Sequence, residues 1–336
     1  MHESVREMPV PSLPEHVWIR LQMLHMARAP RRLLQLVVWV FLAGLIDSEL
    51  DAAEFFAGDM AITSQLQTIG YAAFPFELKL DNEGHDILTD SGFCFALSLV
   101  CKLRRGGLAW FGIVCSTWVF MSRSTTGRHY CAPLGNMTDV VKKANCMTSR
   151  VVLLYWLASA QGCLVILEQP SSSLLYMHPR FQAMLRNVPT YLTKVFLGHF
   201  HAESPKLVHL YSNMPCVADV LKMKTRGWLP MSQGVVLRSE GPDGREQVSG
   251  DSKLKETQSY PRAFGLGIAR MYQKNKHDID RWAENSAARA STMRVDWGWL
   301  WGPLEHMGVD DSWADAELAG VIATLYELAQ FRGTVV

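Results

Sequence analysis

Apolar and polar positions along the chain alternate between two periods, and the switches between them mark the elements. Residues 15–50 read as helical, first amphipathic and then apolar almost all round. EFFAGDMAITSQLQTIGYAAFPFEL (54–78) reads as a short apolar strand, a small-residue turn, a helix stopped by Gly70 and a second strand, one βαβ unit. The pattern then repeats. Residues 91–103 predict a helix broken by Gly106–Gly107, followed by a buried strand LAWFGIVC (108–115). A polar loop (116–136) leads to a long helix (138–161), which Gly162 ends before the strand CLVILEQP (163–170). A helix over 177–188 and strands over 193–200 and 206–213 complete the series.

Strands alternating with helical runs predict an α/β fold, a Rossmann-like and mostly parallel sheet with helices on both faces. A helical extension precedes it, and a small helical region follows it. The expected organisation is a leader and helical extension (1–50), a core (51–213), a short variable insert (214–258) and a closing segment with a C-terminal helix (259–336). Residues 1–14 read as a flexible leader, and the polar stretch 233–258 as a mobile loop. Near the end, Trp297, Trp299 and Trp301 alternate ahead of a helix from about 311 to 331. Packing against the core is their expected use, with base stacking as the alternative.

Composition narrows the classes. Of 336 residues 49% are hydrophobic and 19% charged, enough for a sizeable core and unlike a disordered chain. A net charge of +1 carries no global signature of a nucleic-acid binder, so such a role needs a local basic face. The 7 cysteines form no CxxC pair, which argues against a thiolate zinc site and a secreted disulfide framework, and for an intracellular protein, nuclear or cytoplasmic. LLQLVVWVFLAGLI (33–46) is shorter than the about 20 residues of a membrane span; a buried helix is expected, with a signal anchor as the alternative.

Three strand ends carry candidate chemistry. In FFAGDMA (55–61), Ala57 and Gly58 provide the small residues that let a nucleotide approach the backbone after a first Rossmann strand. Glu77 stands about 20 positions beyond Gly58, where an acid can hold ribose hydroxyls; a solvated strand end is its plainer reading. Asp86 is a weaker candidate for the same pocket. Cys115 closes a buried strand and opens a polar loop, where Arg123 and Arg128 supply cations that would activate a thiol; inert packing is the alternative. Glu168 ends the next strand, where burial would raise its pKa and suit it to act as an acid; capping of the following helix is its plainer role. His199 and His201 flank Phe200 without a convincing third ligand, so no metal site is expected. Neither GxGxxG, GxxxxGK[ST] nor GxSxG occurs at the required place.

In this order, FAGDMA (56–61), Glu77, Val114–Cys115–Ser116, Glu168–Gln169–Pro170, SPKLVHLYSN (204–213) and SYPRAFGLGIAR (259–270) resemble the cytosine-5 DNA methyltransferases, over about residues 54–272. The resemblance implies S-adenosyl-L-methionine as cofactor, held by Phe56, Ala57, Gly58, Asp59 and Glu77, with Asp86 nearby. It implies Cys115 as the nucleophile that adds to cytosine carbon 6, Glu168 as the acid at ring nitrogen 3, and Lys206 as the basic active-site residue. Ser116, Arg123 and Arg128 would contact substrate, the arginines on phosphate or by orienting the loop. The implied partner is nucleic acid, DNA first, read with weak base specificity because the insert 214–258 is short. Val114 stands where the family has proline, and the second cofactor glycine is missing. These departures carry the alternative, a catalytically silent methyltransferase-like binding module, of the kind that travels with a mobile element.

Overall fold

In the computed structural model the described residues are 13–45, 49–230, 236–240, 246–250, 259–297, 300, 318, 320–325, 327 and 329. Most of the expected leader, much of the 233–258 stretch, and Trp299 and Trp301 lie outside them.

The fold is Rossmann-like. Six strands, β1 (Leu50–Phe55), β2 (Ala73–Phe76), β3 (Leu103–Phe111), β4 (Leu164–Pro170), β5 (Tyr191–Phe196) and β6 (Leu207–Ser212), form one sheet in the order β2-β1-β3-β4-β6-β5. β2, β1, β3 and β4 run parallel, while β6 is antiparallel to both β4 and β5. The winding goes from β1 outwards to β2 on one side and then to β3 on the other, and in such sheets ligands sit at the carboxyl ends of the strands flanking that switch, here β1 and β3.

Two apolar layers cover the sheet. Alternation along the strands divides the side chains: Phe55, Phe111 and Leu167 face one layer, and Ala52, Trp110 and Ile166 the other. The first layer holds α1 (Glu15–Met26), α2 (Arg31–Leu42), α4 (Asp90–Lys102), α6 (Asp139–Ala160) and α7 (Pro179–Asn187), while the short α5 (Arg123–Thr126) lies in the loop between β3 and α6. The N-terminal helices are therefore part of the core's own packing. The apolar run around residue 40 is the buried helix α2, and no described helix is long and apolar enough to cross a membrane. Arg31, also buried, donates to the Leu300 carbonyl at 2.6 and 2.9 Å. The second layer holds α3 (Ala61–Thr68) and α8 (Arg262–Ser291).

Three expectations are refined. Gly106 and Gly107 do not stop a helix: α4 runs directly into β3, which begins at Leu103, and the glycines lie inside the strand at a register shift against β1. Gly106 holds φ +72, and a Cβ on Gly107 would stand 2.8 Å from the Arg104 carbonyl. The strand expected over 193–200 ends at Phe196, where a 3-10 turn takes over. Within the 233–258 stretch, β7 (Val236–Glu240) and β8 (Glu246–Gly250) pair antiparallel. Trp297 packs on Trp18 at 5.5 Å, and Leu318, Val321, Leu325 and Ala329 present a buried face at helical spacing.

Candidate active site

The turn after β1 is unusual in its backbone. Phe56, Gly58 and Met60 hold φ of +60, +55 and +55. Only glycine does so freely; the other two cost about 1–2 kcal/mol each. Such strain concentrates where a loop is shaped for a ligand. A Cβ on Gly58 would meet nothing within 4 Å, so open space lies before the turn. Asp59 is exposed there, and Ala57 is buried.

Glu77, half-buried at the end of β2, reaches back to this turn. Its Oε2 accepts from the Gly58 N–H at 2.8 Å and its Oε1 from the Lys79 N–H at 3.2 Å. One bond per oxygen leaves acceptor capacity on both. Glu77 is thus no freely solvated strand end. Its backbone is held in turn by His85, whose ring stacks between Phe76 and Phe95 at 5.0 and 5.2 Å. Asp86 accepts the Leu88 N–H at 2.9 Å through Oδ1 and shapes the turn into α4.

Glu54, which sequence reasoning passed over, sits beneath the turn. It is 2% exposed, and its carboxyl takes the Thr63 N–H at 2.7 Å, the Thr63 hydroxyl at 2.6 Å and the Ile62 N–H at 3.4 Å. The free amides at the start of α3 therefore meet an acid of the chain itself. Burial pushes its pKa up to about 7, against the pull of the Thr63 bonds. A signal was present in the sequence: an acid at an alternating position of the apolar run AAEFF.

The strand expected over 108–115 ends at Phe111, so Cys115 lies in the connection beyond β3. The Gly112 N–H donates to the Phe55 carbonyl at 3.0 Å, and Cys115 begins a turn whose carbonyl accepts from Trp118 at 2.8 Å. Cys115 is half-buried, while Val114 and Ser116 beside it are exposed. Burial pushes the Cys115 thiol up, the Glu168 carboxyl pushes it further, and Lys206 pulls it down. The Cys115 thiol therefore lies within electrostatic reach of both Glu168 and Lys206. Lys206 reaches this edge because β6 is antiparallel to β4, with Val208 opposite Pro170, which puts the start of β6 at the end of β4.

Glu168 is 5% exposed on the same sheet face as Trp110. It caps no helix: its Oε2 accepts from the Tyr260 hydroxyl at 2.7 Å, and its buried Oε1 finds no hydrogen-bond partner among the described residues. Burial raises its pKa, opposed by Lys206 and the Tyr260 bond. Tyr260 was legible only as part of the closing segment. It stands edge-on to Trp110 at 5.6 Å, and a Cβ on Gly112 would come 2.8 Å from its hydroxyl. Burial and the Glu168 charge push its phenol well above the usual range. Tyr260 leads into α8, which crosses α3 so closely that a Cβ on Gly265 would fall 2.0 Å from the Ala61 carbonyl. The segment 259–270 thus touches both halves of the site.

The two loop arginines part company. Arg123 lies near the rings of Phe120 and Tyr130, at 5.1 and 5.7 Å, and donates to the Ser172 carbonyl at 3.3 Å. Arg128 is only 1% exposed, stacks 3.4 Å over Trp118, and binds the Pro133 carbonyl, Asn145 and Thr117. Enclosed in this way, Arg128 orders the loop, the second of the two roles expected of it. Burial lowers its pKa to about 10. His199 and His201 bind Arg226, at its carbonyl (3.0 Å) and its guanidinium (3.2 Å), and no metal-binding cluster occurs among the described residues.

No family model matches the chain, and neither a curated protein nor a solved structure matches it.

Proposed function

We propose that this chain is an S-adenosyl-L-methionine-dependent methyltransferase that acts on carbon 5 of cytosine in nucleic acid. The reading is carried by the register of β6 on β4, which brings the chain at Lys206 to the strand end that holds Glu168, together with the pull of both groups on the Cys115 thiol and a buried Glu168 oxygen without a partner among the described residues.

The cofactor half fits an adenosyl group better than a dinucleotide. A pyrophosphate needs the free amides at the start of a helix. Here Glu54 already takes those of Ile62 and Thr63, which leaves that amide pair unavailable to a pyrophosphate. Glu77 retains acceptors for ribose hydroxyls. Gly58 and Ala57 line the approach with Phe56 and Asp59 at its margins. When bound, the cofactor supplies an electrophilic methyl group on a sulfonium.

On the substrate side, a cytosine must first leave its stack, at a cost of roughly a few kcal/mol. Glu168 in its protonated form donates from Oε1 to ring nitrogen 3. Protonation also removes the charge that opposes ionisation of Cys115, so one proton on Glu168 serves both ring activation and thiolate formation. The Cys115 thiolate adds to carbon 6, and the electron pair moves to carbon 5, which takes the methyl group. Loss of the carbon 5 proton and expulsion of the thiolate then restore the ring. Ser116 and Arg123 border the entry, and Lys206 offsets the negative charge.

Purified protein is expected to bind S-adenosylmethionine saturably by calorimetry and not to bind a nicotinamide dinucleotide. Cys115→Ser is expected to abolish methyl transfer and keep that binding; full activity in this variant would remove Cys115 from the chemistry. The upward push on the Cys115 thiol favours a second reading, a silent module that keeps the fold and binds nucleic acid. Cofactor binding with no turnover in the wild-type protein would select it.

A further inference from the structure

The carboxyl edge of the sheet carries a feature that the methyl-transfer chemistry does not use. Over β3 and β4, Phe120 (57% exposed) and Tyr130 (58% exposed) flank the Arg123 guanidinium, which is tied to Ser172 just past β4. Over β5 and β6, Trp228 (64% exposed) carries the Arg226 guanidinium 4.4 Å from its ring. The Arg226 N–H is anchored to the His199 carbonyl at 3.0 Å, in the connection between those strands. Lys206 immediately precedes β6, between the two groups, and β4, which ends in Glu168–Gln169–Pro170, lies next to that strand. Large aromatic rings are costly to leave in water, and here each is paired with a cation at the rim of one site.

We infer that this edge is a stacking platform for single-stranded nucleic acid, with Phe120, Tyr130 and Trp228 holding unstacked bases and Arg123 and Arg226 meeting the backbone or the base planes. The inference rests on the nucleic-acid reading above and names the substrate class of that same site. Single strands are bound by aromatic stacking with a modest electrostatic share, whereas duplex binders lean on several phosphate contacts from a basic face. The chain has a net charge of +1. Arg128 is withdrawn into the loop, and Lys222 is paired with Asp219 at 2.6 Å. The exposed rings of the edge carry its arginines on their faces, with no separate basic face beside them among the described residues, which suits a single-strand binder. An already unpaired base also avoids the extrusion cost that a duplex imposes.

The test is fluorescence anisotropy with a labelled cytosine-containing 12-nucleotide strand, alone and annealed to its complement, at about 150 mM salt. The single strand is expected to bind at least about tenfold more tightly than the duplex. Phe120→Ala and Trp228→Ala are each expected to weaken single-strand binding about 5- to 150-fold, and Leu134→Ala, another exposed apolar residue of the loop, to leave it unchanged. Equal or tighter duplex binding, or alanine variants with wild-type affinity, would overturn the inference. Calorimetry with S-adenosylmethionine on the same preparations separates the two claims. Cofactor binding without single-strand preference defeats only the platform, and strand binding without cofactor binding defeats only the methyl-transfer reading.

Discussion

Glu54 offers the sharpest test of how the cofactor turn is built, because its effect on stability has a sign and a size. The folded carboxyl titrates at about 7 against a reference of 4.5, with burial as the main cause. Between those values the native state keeps a proton that the unfolded chain has released. Stability must therefore fall as pH rises through this window, being fully present below the unfolded value and lost by the time pH passes the folded one. At about 1.36 kcal/mol per pH unit, a gap of about 2.5 units is worth about 3 kcal/mol. Glu54→Gln keeps an acceptor for Thr63 and cannot ionise. Urea unfolding followed by circular dichroism at pH 4.5 and pH 8 is expected to show the wild type losing about 3 kcal/mol more than the variant across the range. Glu168, also raised, adds the same sign to both proteins and drops out of the difference. Parallel pH profiles for the two proteins would refute the assignment of a buried, protonatable acid under α3. Glu54→Ala removes the acceptor as well, stranding the buried Thr63 donors at about 1–3 kcal/mol each.

Other consequences are open to measurement. Arg128→Ala is expected to lower stability by about 2 kcal/mol or more through the loss of the Trp118 stack and the carbonyl bonds, read as a drop in melting temperature; a change below about 1 kcal/mol would mean the loop is ordered otherwise. Gly265→Ala drives a Cβ against the Ala61 carbonyl and is expected to weaken S-adenosylmethionine binding at least tenfold by calorimetry, since α3 must move; unchanged affinity would uncouple α8 from the turn. Tyr260→Phe removes the bond to Glu168 and is expected to raise the pH at which Glu168 ionises, and so to extend methyl transfer to higher pH. An unshifted pH profile would separate Tyr260 from Glu168.

The fold was largely legible because the apolar periods and their glycine stops are local. Gly70 and Gly162, both at positive φ, end α3 and α6 where the periods break. Gly106–Gly107 misled for the same reason: the same residues that end a helix also make a bulge, and only the neighbouring β1 register decides between them. The site was readable at its strand ends, since Gly58, Glu77, Cys115 and Glu168 each follow an apolar run. What a charged side chain does there depends on a partner far away in sequence. Arg128 looks like a loop cation until Trp118 and Asn145 enclose it. Tyr260 meets Glu168 from the far side of the insert. Asp86 resembles a site acid yet serves a turn two residues ahead.

Mass spectrometry of the protein after incubation with S-adenosylmethionine and a 5-fluorocytosine oligonucleotide bears most directly on the central claim. Fluorine cannot leave carbon 5 as a proton does, so the account predicts a stable adduct of protein plus methylated strand, mapped to the Cys115 peptide and lost in Cys115→Ser. A folded protein that binds both cofactor and oligonucleotide but forms no such adduct, or forms it at another cysteine, would contradict it.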